Sequence, residues 1–96
     1  MDNPYRLPGA LFSIGQLNFH PSALQEIGLE EIANAITRHG RGDWGEVDAD
    51  DWKANEDALR EGTRLVSVYH SPDGSKFNVI TEADRNLTTV MLIEDY

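Results

Sequence analysis

Arg64-Leu65-Val66-Ser67-Val68-Tyr69-His70, Ser71-Pro72-Asp73-Gly74-Ser75 and Lys76-Phe77-Asn78-Val79-Ile80-Thr81 make up the stretch on which the fold turns. Both arms are rich in Val, Ile, Leu and aromatic residues, which suit a pleated, half-buried surface. Between them lies Pro-Asp-Gly. Proline presets φ, aspartate bonds to nearby backbone and glycine accepts a positive φ, so the chain reverses there and the stretch is a β-hairpin. Glu82-Ala83-Asp84-Arg85-Asn86 makes the next connection and Leu87 to Ile93 a further strand. The C-terminal third is thus a three-stranded antiparallel meander.

Upstream of Gly62 the period changes from two to that of a helix. Asp48 is a good N-cap, and a helix from about Ala49 to Glu61 closes at Gly62, with Trp52, Asn55 and Leu59 on its inner face. Leu29, Ile32, Ala33 and Ile36 recur at helical spacing, with Glu30 and Glu31 in the first turn, Arg38 and His39 in the last, and Gly40 as the stop. A short helix starts at Pro21 and ends at Gly28. Leu11 to Phe19 reads as a strand bent at Gly15, and residues 1–10, with Pro4, Pro8 and Gly9, as an irregular arm. The fold class expected is α+β: an antiparallel sheet of about four strands, one N-terminal and three in the meander, packed against two or three short helices.

Ninety-six residues suit one domain with one modest core. There is no cysteine, so disulfides, thiolate metal sites and a thiol nucleophile are excluded. The N-terminus lacks the basic start and apolar run of a secretory signal, and no stretch is long and apolar enough for a membrane span, so a cytoplasmic protein is expected. Seventeen acidic against eight basic side chains give a formal charge of −9. That sign repels nucleic-acid backbones and favours a basic protein or ribonucleoprotein surface as partner.

No catalytic or metal-binding constellation is visible. The three histidines, His20, His39 and His70, lie in different elements without metal-ligand spacing and read as surface or cap residues. A calcium loop started at Asp48 puts Trp52, Lys53 and Leu59 where ligands or glycine belong. No serine sits in a nucleophile elbow, and only Glu82 and Asp84 beside Arg85 resemble a site. No cofactor is expected.

Charge density is the informative feature: between Asp43 and Glu61 stand eight acids and two bases. At about 100° per residue, Asp50, Asp57 and Glu61 fall within about 40° of one another on the helix, opposite Trp52 and Leu59. Such a stripe presents carboxylates to a row of Arg and Lys, although charge runs also serve simply as solvated faces. Trp44, between glycines in a loop, reads either as core or as an apolar anchor for a partner. The candidate partner-binding residues are Trp44, Asp50, Asp57 and Glu61.

Several segments together carry a family likeness: Gly42-Asp43-Trp44-Gly45, Asp51-Trp52, Asn55-Glu56, Ala58-Leu59, Arg64-Leu65, Ser67-Val68-Tyr69, Lys76-Phe77, Val79 to Arg85 and Thr88-Thr89-Val90. Over residues 14–96 the chain resembles a family of small bacterial proteins described as hypothetical or plasmid-related and often labelled, by neighbourhood, as type I restriction subunits. They are far too short to be methyltransferases. Proteins of this general kind are associated with anti-CRISPR inhibitors of phages and plasmids, including a class acting on the type II RNA-guided nuclease. The resemblance implies a non-enzymatic inhibitor carried on mobile genetic elements; it brings no active-site residues with it. The rival reading is a small regulatory or housekeeping protein with an unrelated partner, or a homodimer formed through an open sheet edge.

Overall fold

The computed structural model describes residues 5–96; residues 1–4 of the N-terminal arm lie outside the described residues. Elements follow in the order β1 (Gln16–Phe19), α1 (Pro21–Ile27), α2 (Leu29–Gly40), α3 (Ala49–Glu61), β2 (Leu65–His70), β3 (Lys76–Thr81) and β4 (Leu87–Leu92), then a single 3-10 turn, Ile93–Asp95. The fold is α+β. The hairpin forms where expected: Ser71 N–H donates to Ser75 O and Gly74 N–H to Ser71 O, while the Asp73 carboxylate accepts from Ser75 N–H.

The sheet has the order β1-β4-β3-β2 and is mixed, which corrects the antiparallel expectation: β1 runs parallel to β4, with Gln16 opposite Leu87 and Phe19 opposite Val90. Chain direction is the reason. The helices form a long crossover that delivers the chain from β1 to β2 on the opposite edge with the same heading. β3 reverses that heading and β4 restores it. β1 is also shorter than the strand expected from Leu11. Gly15, at φ 65°, lies against the β3–β4 connection so closely that a Cβ would stand 2.2 Å from the Asn86 carbonyl carbon. The chain before it turns away, Leu11 N–H donating to Gly40 O and Ile14 N–H to Tyr5 O, and sends Phe12 and Ile14 into the core.

Helices α1 and α2 cover one face of the sheet. Ala23 and Ile27 of α1 and Ile32, Ala35 and Ile36 of α2 join Leu65, Tyr69, Phe77, Val79, Val90 and Leu92 in one apolar cluster. The inner stripe of α2 is rotated from the expected one: Leu29 and Ala33 face solvent, and Ala35 and His39 are buried. His39 sets that rotation. Its Nδ1 lies 2.5 Å from Ser67 Oγ and its Nε2 2.9 Å from Thr81 Oγ1, and Thr81 Oγ1 is 2.7 Å from Thr88 Oγ1, which donates to Ile14 O. Proton directions follow by elimination. Thr88 spends its hydrogen on the carbonyl, so Thr81 donates to Thr88, His39 Nε2–H donates to Thr81, and Nδ1 accepts from Ser67. The imidazole is neutral and fully buried, its pKa lowered to about 3 by desolvation first and by the Arg85 charge second.

The two sheet edges differ. On β2, Asn55 of α3 acts as a surrogate strand: its Nδ2 donates to Val66 O at 2.8 Å and its Oδ1 accepts from Val66 N–H at 3.1 Å. One residue pair further along, Glu46 N–H donates to Val68 O and Val68 N–H to Trp44 O. This bridge needs Gly45, at φ 73°, because a Cβ there would lie 2.0 Å from Val68 O. Self-association through β2 is therefore blocked, and only the four-residue β1 remains as a free edge among the described residues.

Candidate partner-binding surface

Helix α3 is held at both ends. Asp48 accepts from Asp51 N–H at 2.8 Å at its start, and Gly62 closes it in the left-handed conformation, its N–H donating to Ala58 O. Arg85 caps the same end from outside, its guanidinium donating to Ala58 O, Thr63 O and Glu82 O. This anchoring explains why Arg85 tolerates φ 62°, since three carbonyl partners offset the strain of a left-handed non-glycine residue. Glu82 faces Arg64 at 3.7 Å and Asp84 accepts from Asn86 N–H, so the connection that resembles a site is occupied with structural bonds.

The four candidate residues are not equivalent. Trp44 is completely buried, stacked 6.3 Å from the Phe12 ring and edge-on to His39 at 5.7 Å, so the anchor reading is corrected: no face of it is open to a partner. Asp57 is held within its own helix by Lys53 at 2.9 Å and Arg60 at 2.5 Å, whose hydrogen bonds keep its carboxyl below the usual carboxylate range. Asp50 and Glu61 are exposed, and among the described residues no ion pair or hydrogen bond engages either carboxylate. Of the expected stripe, two free acids and one internally paired acid remain.

Trp52 departs from expectation in the other sense. Of the expected inner face, Asn55 is buried, but Ala58 rather than Trp52 lies beside it and Trp52 is 36% exposed. The cause is the double hydrogen bond from Asn55 to Val66: satisfying the edge strand fixes the helix's rotation, and Trp52, about 60° further round, is carried to the rim. No side-chain periodicity signals this, because the determining partner is a backbone amide eleven residues away.

Beside α3 the sheet's second face forms a groove of about 400 Å³, which sequence reasoning missed entirely. Val66, Val68 and Asn78 make its floor, Asp51 and Ala54 of α3 one wall, and Ile93 and Tyr96 the other. Arg64 lies at the groove with its guanidinium 5.6 Å from the Tyr96 ring centre and its charge balanced by Glu82. Asn78 is 2% exposed, and its Nδ2 has no acceptor. At about 100° and 1.5 Å per residue, Asp50 stands about 40° round and one turn from Ala54, beside the groove wall, and Glu61 about 20° round but about 10 Å further along the helix.

Among the described residues no group of three or more His, Asp or Glu is arranged to hold a metal ion, and no helix is long and apolar enough to cross a membrane. His39 and Ser67 form a histidine–serine pair, but both are fully buried and present no reacting atom at the surface. On α3 the exposed carboxylates outnumber the exposed bases Lys53 and Arg60, both of which are engaged by Asp57. Compared with family models, curated proteins and solved structures, the chain has no match.

Proposed function

We propose that this chain is a non-enzymatic, acidic binding protein of mobile genetic elements that docks α3 on a basic protein or ribonucleoprotein surface, and that the partner class is an RNA-guided nuclease. The observation that carries the first part is the pair of unpartnered carboxylates, Asp50 and Glu61, on a helix capped at both ends and tied to β2. Rigid presentation matters because side chains and backbone already ordered in the free protein cost less entropy on binding. A channel built to hold nucleic acid is positive, and an acidic ridge competes for it. The nuclease assignment is supported by the resemblance carried by residues 14–96, and a partner of that class calls for a cytoplasmic protein.

The test is binding to, and inhibition of, a guide-loaded type II nuclease by the wild type and by Asp50→Lys/Glu61→Lys. Reversing both charges is expected to weaken binding by about tenfold or more at about 0.1 M salt, with an unchanged melting temperature. Undiminished binding by the variant refutes the acidic-helix mechanism, and no binding by the wild type refutes the partner class.

A further inference from the structure

We infer that the groove between α3 and the C-terminal turn is a recognition site for one aliphatic side chain of a partner protein flanked by Arg or Lys. The inference rests on the acidic-helix reading and adds what charge alone does not supply, a specificity pocket. Val47, Val66, Val68, Ala54 and Ile93 give the groove an apolar lining. A free-standing apolar lining of this kind gains by taking a hydrocarbon group out of water.

Charge decides which occupant fits. Asp51 is part of the wall, Asp50 stands one turn from the lining residue Ala54 and Glu61 lies further along the same side of α3, while Arg64, the cation at the groove, is already balanced by Glu82. A second copy of this chain, at net −9, brings like charge to that wall, whereas a segment with bases on either side of its apolar residue brings the complement. The floor adds a second, independent feature. Asn78 Nδ2, a buried donor without an acceptor, lies just beneath the floor, where an occupant changes its surroundings without bonding to it directly.

The experiment is a titration of isotopically labelled full-length protein, followed by NMR, with the peptides Lys-Arg-Leu-Arg-Lys and Lys-Arg-Ser-Arg-Lys. The leucine peptide is expected to shift the amides of Ala54, Val66 and Val68 and the side-chain amide of Asn78, and to bind about tenfold or more tightly than the serine peptide, as follows from transferring one leucine side chain out of water. Ala54→Trp, an exposed position whose enlarged side chain fills the groove, is expected to erase the leucine preference and leave the serine peptide unaffected. Val68→Thr, which keeps the shape and adds a hydroxyl, is expected to reduce it. Equal affinity for both peptides, with shifts confined to the outer face of α3, overturns the groove and leaves the acidic-helix reading standing. If neither peptide binds at low salt, both readings are overturned.

Discussion

The two faces of the sheet are built from alternate residues of the same strands, yet they end in different states. On the helix-covered face every strand residue from Leu65 through Leu92 that points inward is buried, and its serine and threonine hydroxyls run in one directed chain from Ser67 through His39, Thr81 and Thr88 to Ile14 O, while Tyr69 donates separately to Asp43 O. On the outer face Ile80 and Thr89 are buried, Val66 and Val68 are only half covered, and Asn78 keeps an unpaired amide. Local propensity is much the same on both. The difference comes from what packs against them: two whole helices on one side, the end of α3 and a short turn on the other. A face completed within the chain has little left to offer a partner, and the incomplete one, bordered by free acids, does.

The largest test of this contrast is at His39. His39→Ala strands the Ser67 and Thr81 hydroxyls and leaves a cavity, and chemical denaturation is expected to show a loss of about 2 to 5 kcal/mol. The same residue has a pH signature. In the unfolded chain its pKa is near 6.5, in the folded protein about 3, so below pH 6.5 the unfolded state binds a proton that the native state refuses. Stability is therefore flat above that pH on this account and falls as pH drops, with a slope approaching about 1.4 kcal/mol per pH unit. Asp43, Glu46, Asp57 and Asp73, all held below the usual carboxylate range by hydrogen bonds, destabilise in the same direction at lower pH, as they are protonated. Denaturation of wild type and His39→Gln between about pH 6.5 and 5 separates the two, since the variant loses the histidine slope and keeps the carboxylates.

A smaller effect is expected at the closed edge. Asn55→Ala removes both partners of Val66 and reopens that part of the β2 edge, costing about 1 to 3 kcal/mol by denaturation and introducing concentration-dependent association in light scattering. A variant that stays monomeric and equally stable would show that the surrogate strand is dispensable. The smallest effect belongs to the outer face: Asn78→Val removes a donor that has no acceptor, so stability is expected to hold or rise by up to about 1 kcal/mol. A clear loss there would mean that the two faces are equally complete.

Much of the fold was legible because its signals are local. Asp73-Gly74 specifies a reversal, Asp48 and Gly62 specify the ends of α3, and alternation specifies the meander, each through contacts within a few residues. Strand direction in β1 was not legible, since parallel pairing depends on where the crossover delivers the chain. The candidate site divides the same way. Asp50 and Glu61 follow from helical spacing, while the loss of Trp44 to the core depends on its loop packing against Phe12 and His39, and the exposure of Trp52 and the existence of the groove depend on the rotation of α3 about its axis.

By itself, then, the sequence determined which segments are helix and strand, where they stop, and that one helix carries an excess of negative charge, because backbone sterics, capping and periodicity act over short range. The tertiary structure alone decided which of those charges stay free, which histidine is buried neutral, which sheet edge is closed and where an apolar groove opens. Each of these is settled by a hydrogen bond or a packing contact between residues distant in the chain, such as Asn55 with Val66 or His39 with Thr81, and such pairings exist only once the fold has brought the partners together.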